Sequence, residues 1–163
     1  MSKKKYFLKY SEVLHQLINR EDYDNPAIKD LIRYSLRQAI NHATDLPGYD
    51  NKLGASLISE KALEQIENGD LDNLVGEHVV PVSEVNRILH RGNRSLETIK
   101  NHILSFSTRA VITKQEDDVL RELGLSKQMP KSWDGESSLD RYEVANIRCV
   151  NKLYKDVIKT RKG

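Results

Sequence analysis

Apolar residues recur along most of the chain at the three- and four-residue spacing of one helical face. The clearest stripe follows Asn25-Pro26, where asparagine can cap a helix and proline tolerates the first helical position because no backbone donor is needed there. Its members are Ile28, Leu31, Ile32, Ser35, Leu36, Ala39 and Ile40. Further helices are predicted to begin at Ser59 and to follow Ser83 and Ser95.

Two segments carry the β-branched residues typical of strands, residues 74–82 and Arg109–Thr113. Together they predict a small two-stranded antiparallel ribbon, which needs packing from neighbouring elements to be stable. The second segment leads directly into Thr113-Lys114-Gln115-Glu116, the pattern of a capping box. We therefore expect a helix to begin where the second strand ends.

The C-terminal part predicts one long helix over residues 139–161, with the apolar face Val150, Leu153, Tyr154, Val157 and Ile158. The sequence thus predicts an α+β fold that is predominantly helical, with one small ribbon and a long last helix. We expect a single domain over residues 1–163. Within it, residues 1–10 form a basic N-terminal arm, and residues 74–123 form a strand–strand–helix core with a helical insertion at 83–106.

Composition and charge exclude some classes of protein and favour others. The chain has 163 residues, 38% hydrophobic and 31% charged, and its one cysteine excludes an intrachain disulfide and a cysteine-clustered zinc site. The net charge of +2 divides into +4 on residues 1–10, +5 on residues 148–163 and −7 between them. Basic ends suggest a polyanion such as nucleic acid, although lysine-rich termini are often simply solvated. With no apolar run long enough for a membrane and no secretory signal, we expect an intracellular, cytoplasmic protein with no membrane partner.

Reactive residues concentrate at the predicted ribbon. Glu77 and His78 lie inside an apolar run, and Asp117 and Asp118 follow the capping box. Successive side chains of a regular strand face opposite sides, so Glu77 and His78 can share a site only if the strand bends or bulges. Each group also has a purely structural interpretation, since acids in the first turns of a helix favour its dipole and need no metal.

These motifs resemble those of the HNH, or ββα-metal (His-Me finger), endonucleases. The run Glu77-His78-Val79-Val80-Pro81-Val82 is similar to the family's Asp-His-Ile-Val-Pro-Leu stretch. The run Val111-Ile112-Thr113-Lys114-Gln115-Glu116-Asp117 is similar to its strand–Thr-Lys-Glu-Glu-His helix start. The resemblance implies hydrolysis of phosphodiester bonds in nucleic acid, with DNA favoured over RNA. It also implies that His78 activates water and that Glu77 with Asp117, or Asp118 in its place, holds a metal. Oxygen ligands favour Mg²⁺ or Mn²⁺.

Several features depart from the family pattern. Roughly thirty residues separate the two motifs where the family has a short loop. The position of its histidine-orienting asparagine falls near Thr108, and Asn86, Asn93 and Asn101 are alternatives without support from spacing. Lys114, Lys127, Lys131 and Arg141 are the candidates for contact with phosphate. Two alternatives stay open: a non-catalytic nucleic-acid-binding or protein-interaction module, including a degenerate nuclease fold, and a helical partner whose acidic middle binds another protein. Small enzymes of this family serve restriction and phage roles, so the resemblance implies a role of that kind.

Overall fold

The computed structural model describes residues 2–44 and 52–162. In chain order its elements are α1 (Lys3–Ile18), α2 (Pro26–His42), β1 (Leu57–Ser59), α3 (Glu60–Asn68), β2 (Leu74–His78), α4 (Val82–Arg91), α5 (Leu96–Ser105), β3 (Arg109–Thr113), α6 (Lys114–Glu122), α7 (Asp140–Val144), β4 (Cys149–Asn151) and α8 (Tyr154–Lys162). The fold is α+β and predominantly helical, as predicted. The described residues divide into two compact units. We call residues 2–44 and 82–107 the helical unit, and residues 52–81 and 108–162 the sheet unit.

The helical unit is built on the pairing of α1 with α2. The buried positions of α1 recur at helical spacing, namely Phe7, Ser11, Leu14 and Ile18. The Asn25 side chain accepts a hydrogen bond from the Ala27 amide, which confirms the predicted start of α2. Residues 3–10, the predicted basic arm, form the first half of α1. Within this unit Arg94 donates to the carbonyl oxygens of Ile18 and His90, so it joins the end of α1 to α4.

The sheet unit contains a four-stranded mixed sheet in the order β2-β3-β1-β4. β1 runs parallel to β3, whereas β2–β3 and β1–β4 are antiparallel. The prediction of a two-stranded ribbon is therefore wrong, although its two strands do pair. The strands that the sequence did not reveal, β1 and β4, are three residues long, too short for an alternating pattern to be visible.

Each face of this sheet carries its own hydrophobic core. The first core lies under α6 and α7 and contains Leu57, Val79, Ala110, Ile112, Leu120, Leu125, Tyr142 and Ile147. The second lies under α3 and α8 and contains Ala55, Ile58, Ala62, Ile66, Leu74, Val111 and Tyr154. Neighbours in one strand, such as Val111 and Ile112, belong to different cores, because side chains of a strand alternate between its faces.

The predicted long helix over residues 139–161 is also wrong. Two short helices, α7 and α8, occupy its ends, and β4 lies between them and pairs with β1. Asn146 adopts a left-handed backbone conformation with φ of 54°, which ends the first helix just after its cap at Ala145. Part of the apolar stripe that predicted the helix does lie on one helical face, that of α8. Its residues Tyr154, Val157 and Ile158 pack in the second core. No helix in the described ranges 2–44 and 52–162 is long and apolar enough to cross a membrane.

Candidate functional site

Glu77 and His78 lie at the end of β2, where the strand pairs regularly with β3. The register continues without a bulge from Leu74, opposite Thr113, to His78, opposite Arg109. Because no residue is inserted, the two side chains point to opposite faces of the sheet. Glu77 lies on the face of the first core, and His78 lies on the other face beside its cross-strand neighbour Arg109. The structure thus does not bring the predicted general base and the predicted ligand to one site.

The carboxylate of Glu77 is held by two residues of α7. Arg141 forms an ion pair with it at 2.9 Å, and the Tyr142 hydroxyl donates a hydrogen bond to its other oxygen. The Glu77 side chain is 16% exposed. Burial raises the pKa of Glu77, the nearby Arg141 charge and the Tyr142 hydrogen bond oppose that rise, and the negative charge of Asp117 adds to it. Burial also raises the pKa of Tyr142 well above its ordinary value, so its hydroxyl remains a donor.

Arg141 is an internal residue rather than a surface cation. Its side chain is 1% exposed, and besides Glu77 it donates to three carbonyl oxygens, at 2.7 Å to Val79, 2.9 Å to Leu125 and 2.6 Å to His78. A guanidinium enclosed in this way cannot reach a phosphate in solution. The predicted nucleic-acid contact of Arg141 does not agree with this position, and the residue instead ties α7 to the end of β2.

Asp117 and Asp118 lie in the first half of α6 and share one cation. Arg121 pairs with Asp117 at 2.9 Å and with Asp118 at 2.7 Å. Asp117 is the less exposed of the two, and its charge acts on the pKa of Glu77. α6 packs through Leu120 on the sheet face that carries Glu77, so Glu77 and Asp117 lie on the same side of the sheet, and Asp118 is exposed.

The donor set around Glu77 does not fit the divalent metal that the resemblance implies. Both oxygens of Glu77 are engaged by protein donors, and Asp117 is paired with Arg121. Among the residues that the structure describes, no group of three or more His, Cys, Asp or Glu side chains is arranged to hold a metal ion. A hard cation needs several oxygen ligands around one point, which these pairings do not provide.

Glu116 forms a buried network that the sequence revealed only in part. The predicted capping box with Thr113 is confirmed, since the Thr113 amide donates to Glu116 Oε2 at 2.9 Å and the Glu116 amide donates to Thr113 Oγ1 at 3.1 Å. The same carboxylate oxygen also accepts from Ser59 Oγ at 2.6 Å. Ser59 itself caps α3 as predicted. Nearby, burial and then the Glu116 charge raise the pKa of Cys149 to about 12, so this thiol is not a nucleophile at neutral pH.

The remaining predicted site residues are Thr108 and three lysines. Thr108 immediately precedes β3, and its carbonyl oxygen accepts from the Val79 amide at 3.0 Å, beside the end of β2. Lys114, Lys127 and Lys131 are exposed, as a contact with phosphate requires.

A group of aromatic rings on the helical unit was not predicted. Tyr6 stacks on Tyr10 with 6.4 Å between ring centroids and on His42 with 5.0 Å. Tyr10 stacks on His42 as well, and it meets the ring of Tyr34 edge-on at 6.3 Å. We call these four residues the aromatic face. Its outermost member, Tyr34, is 56% exposed. The sequence feature that could have indicated this group is the pair Tyr6 and Tyr10, which are four residues apart in a lysine-rich segment.

Charge is divided unequally between the two units. The helical unit, residues 2–44 and 82–107, carries twelve basic and seven acidic side chains, a net charge of +5. The sheet unit, residues 52–81 and 108–162, carries fourteen basic and fifteen acidic side chains, a net charge of −1. The positive charge is therefore concentrated on the unit that holds the aromatic face.

Comparison of the chain with models of known protein families, with curated proteins and with solved structures gave no match. The likeness to the HNH endonucleases consequently rests on the two motifs alone.

Proposed function

We propose that this protein binds nucleic acid without a metal ion, through the aromatic face and the basic residues beside it. The observation that carries the proposal is the exposed ring of Tyr34, which lies edge-on against a group of buried and half-buried rings on the unit of net charge +5. This is the non-catalytic alternative that the sequence left open.

The rings offer a platform for unpaired bases. Tyr6 of α1 stacks on His42 of α2, Tyr10 stacks on His42 as well, and Tyr34 contacts the Tyr10 ring edge-on. The exposed ring of Tyr34 is therefore supported by a neighbouring ring and remains accessible to a base. Base–aromatic stacking contributes about 1–3 kcal/mol per base and tolerates any sequence. Because a base must be unpaired to stack on a side chain, single-stranded nucleic acid is favoured over duplex.

Basic residues are present on both helices that carry the rings. Lys5 and Lys9 are exposed and immediately precede Tyr6 and Tyr10, one helical turn apart. On α2 the exposed Arg37 follows Tyr34 by three residues, which places both on one side of the helix. Cations spaced along a row of rings match a strand that offers bases on one side and phosphates on the other.

Fluorescence anisotropy with a labelled single strand of about 20 nucleotides tests the proposal, with EDTA present throughout. We expect Tyr34→Ala to weaken binding by about fivefold or more. Leu31→Ala is the matched control. Leu31 is 50% exposed on the same helix, and its substitution removes an exposed side chain but no aromatic ring. Lys5→Gln with Lys9→Gln is expected to reduce the dependence of affinity on salt.

Three outcomes would contradict the proposal: no binding at low salt, equal effects of Tyr34→Ala and Leu31→Ala, or binding that requires a divalent metal. Anionic phospholipid vesicles serve as a second probe, since a basic amphipathic helix can also meet a membrane surface. Tighter binding to the vesicles than to the oligonucleotide would identify the partner as a lipid surface instead.

A metal-dependent endonuclease is the second candidate, and one observation favours it. β2 and β3 are antiparallel and lead into α6, the order of the ββα element that the resemblance implies, with Glu77 and Asp117 on one side of it. Cleavage of plasmid DNA in Mg²⁺ or Mn²⁺ that is lost in His78→Ala would establish this function.

A further inference from the structure

An open cavity lies within the sheet unit, at the ends of three neighbouring strands. Its volume is about 500 Å³, inside the range of about 300–1,000 Å³ that is usual for small-molecule sites. The cavity is bordered by the start of β1 at Leu57, the residue before β3, Thr108, and the end of β4 at Asn151. These three strand ends are neighbours in the sheet, so the polar groups come from a rigid framework.

The polar side chains around the cavity are available to a ligand. They are Ser56, Thr108, Ser138, Asn151 and Lys152. Within the described part of the chain, none of these five side chains forms a hydrogen bond or an ion pair, whereas the buried polar groups nearby, such as Arg141, are bonded to protein acceptors. Hydroxyl and amide groups that converge on a cavity without protein partners are the usual means of orienting a small ligand.

The charge and shape of the lining define the ligand class. Lys152 is the single charged side chain among the described residues that line the cavity, so the site is positive and accepts an anion. The rest of the lining is apolar, from Leu57, Leu139 and Leu153, and suits a flat ring better than a second charge. A cavity of this volume is larger than inorganic phosphate needs.

We infer that this cavity binds a nucleotide, with the phosphate at Lys152, the ribose and base edges at the hydroxyl and amide groups, and the base against the leucines. The inference does not depend on the aromatic face, which belongs to the other unit. It gives the sheet unit a ligand of its own, either a free nucleoside monophosphate or the end of a nucleic-acid strand.

Isothermal titration with three probes tests the inference: AMP, adenosine and inorganic phosphate. We expect AMP to bind about tenfold more tightly than adenosine, because a charge-assisted bond to Lys152 is added, and phosphate to bind most weakly. Lys152→Gln should weaken AMP about tenfold and leave adenosine unchanged. Thr108→Val keeps the side-chain volume and should weaken AMP and adenosine alike by about threefold. Lys159→Gln, an exposed lysine of α8 outside the cavity lining, is the matched control.

The inference is overturned if AMP does not bind at millimolar concentration, or if Lys152→Gln and Lys159→Gln bind AMP equally well. Thermal unfolding of each variant shows whether its fold is intact. Failure of this inference and failure of the proposed function are distinguishable, because Tyr34→Ala should leave AMP affinity unchanged. Competition between AMP and a 5′-phosphorylated oligonucleotide, in Tyr34→Ala, then separates the two sources. If AMP displaces the oligonucleotide, the ligand of the cavity is the end of a nucleic-acid strand. If AMP binds without displacing it, the ligand is a free nucleotide.

Discussion

The guanidinium of Arg141 lies 2.9 Å from the carboxylate of Glu77 and is almost entirely removed from solvent. The acid of the Glu77-His78 motif is therefore neutralised by a cation of the same chain. Because Arg141 also donates to the carbonyl oxygens of His78 and Val79, it fixes the backbone of the motif as well as its side chain. The pair explains why the motif can be structural even though its sequence resembles that of a metal site.

We predict that Arg141→Met lowers the free energy of unfolding by about 3–5 kcal/mol, since it leaves Glu77 buried without its cation and three carbonyl oxygens without a donor. Arg121 is the matched control, because it also pairs with two carboxylates but at the surface. Arg121→Gln should cost less than about 1 kcal/mol. Urea denaturation of both variants measures the free energy of unfolding. Equal losses would show that the buried ion pair stabilises the fold no more than the exposed one.

Removing the Glu116 carboxylate should also destabilise the sheet unit. Glu116→Ala leaves the Ser59 hydroxyl and the Thr113 amide without their acceptor in a buried position, at an expected cost of about 2–3 kcal/mol. Glu122→Ala, an exposed glutamate of the same helix, is expected to change the free energy of unfolding by less than about 0.5 kcal/mol. The same denaturation experiment compares them. A loss below 1 kcal/mol in Glu116→Ala would mean that water satisfies both donors.

The parts of the fold that the sequence predicted are helix starts stabilised by hydrogen bonds between residues close in the chain. Asn25, Ser59, Ser95 and the Thr113–Glu116 box each cap a helix through side-chain bonds to residues two or three positions away, so a short window contains the whole signal. β1 and β4 have no such signal. They are strands because each pairs with a distant segment, and three residues cannot show an alternation of their own.

The candidate site was predictable in part for the same reason. A strand that leads into a capped helix predicted that Asp117 and Glu77 lie near the same ribbon, and α6 does pack on the sheet face that carries Glu77. The sequence contained no indication that Arg141, far along the chain, neutralises Glu77. Tyr34 and His42 likewise join Tyr6 and Tyr10 only because α1 packs against α2, a contact that no local pattern reports.

Binding of a single-stranded oligonucleotide should not require Mg²⁺ or Mn²⁺: affinity in EDTA should be at least as high as in either metal, and it should be the same in His78→Ala as in the wild type. The reason is that His78 lies on the opposite sheet face from Glu77 and takes no part in the aromatic face. Anisotropy titrations under both conditions measure affinity, and gel analysis of the recovered oligonucleotide detects cleavage. Metal-stimulated cleavage that disappears in His78→Ala would contradict the metal-free proposal and establish the nuclease.

The stability of the protein should fall as the pH decreases below about 6.5, and His42 should account for part of the fall. Burial, and then the positive charge of Lys3, lower the pKa of His42 in the folded state. Between the unfolded and the folded pKa the unfolded chain binds more protons, so stability is fully present above the unfolded value and is lost as the pH falls through this window. His42→Phe keeps a ring against Tyr6 and Tyr10 but cannot be protonated. Thermal midpoints between about pH 7.5 and 5 should therefore decline less in His42→Phe than in the wild type. Parallel declines would show that the protonation of His42 is not coupled to unfolding.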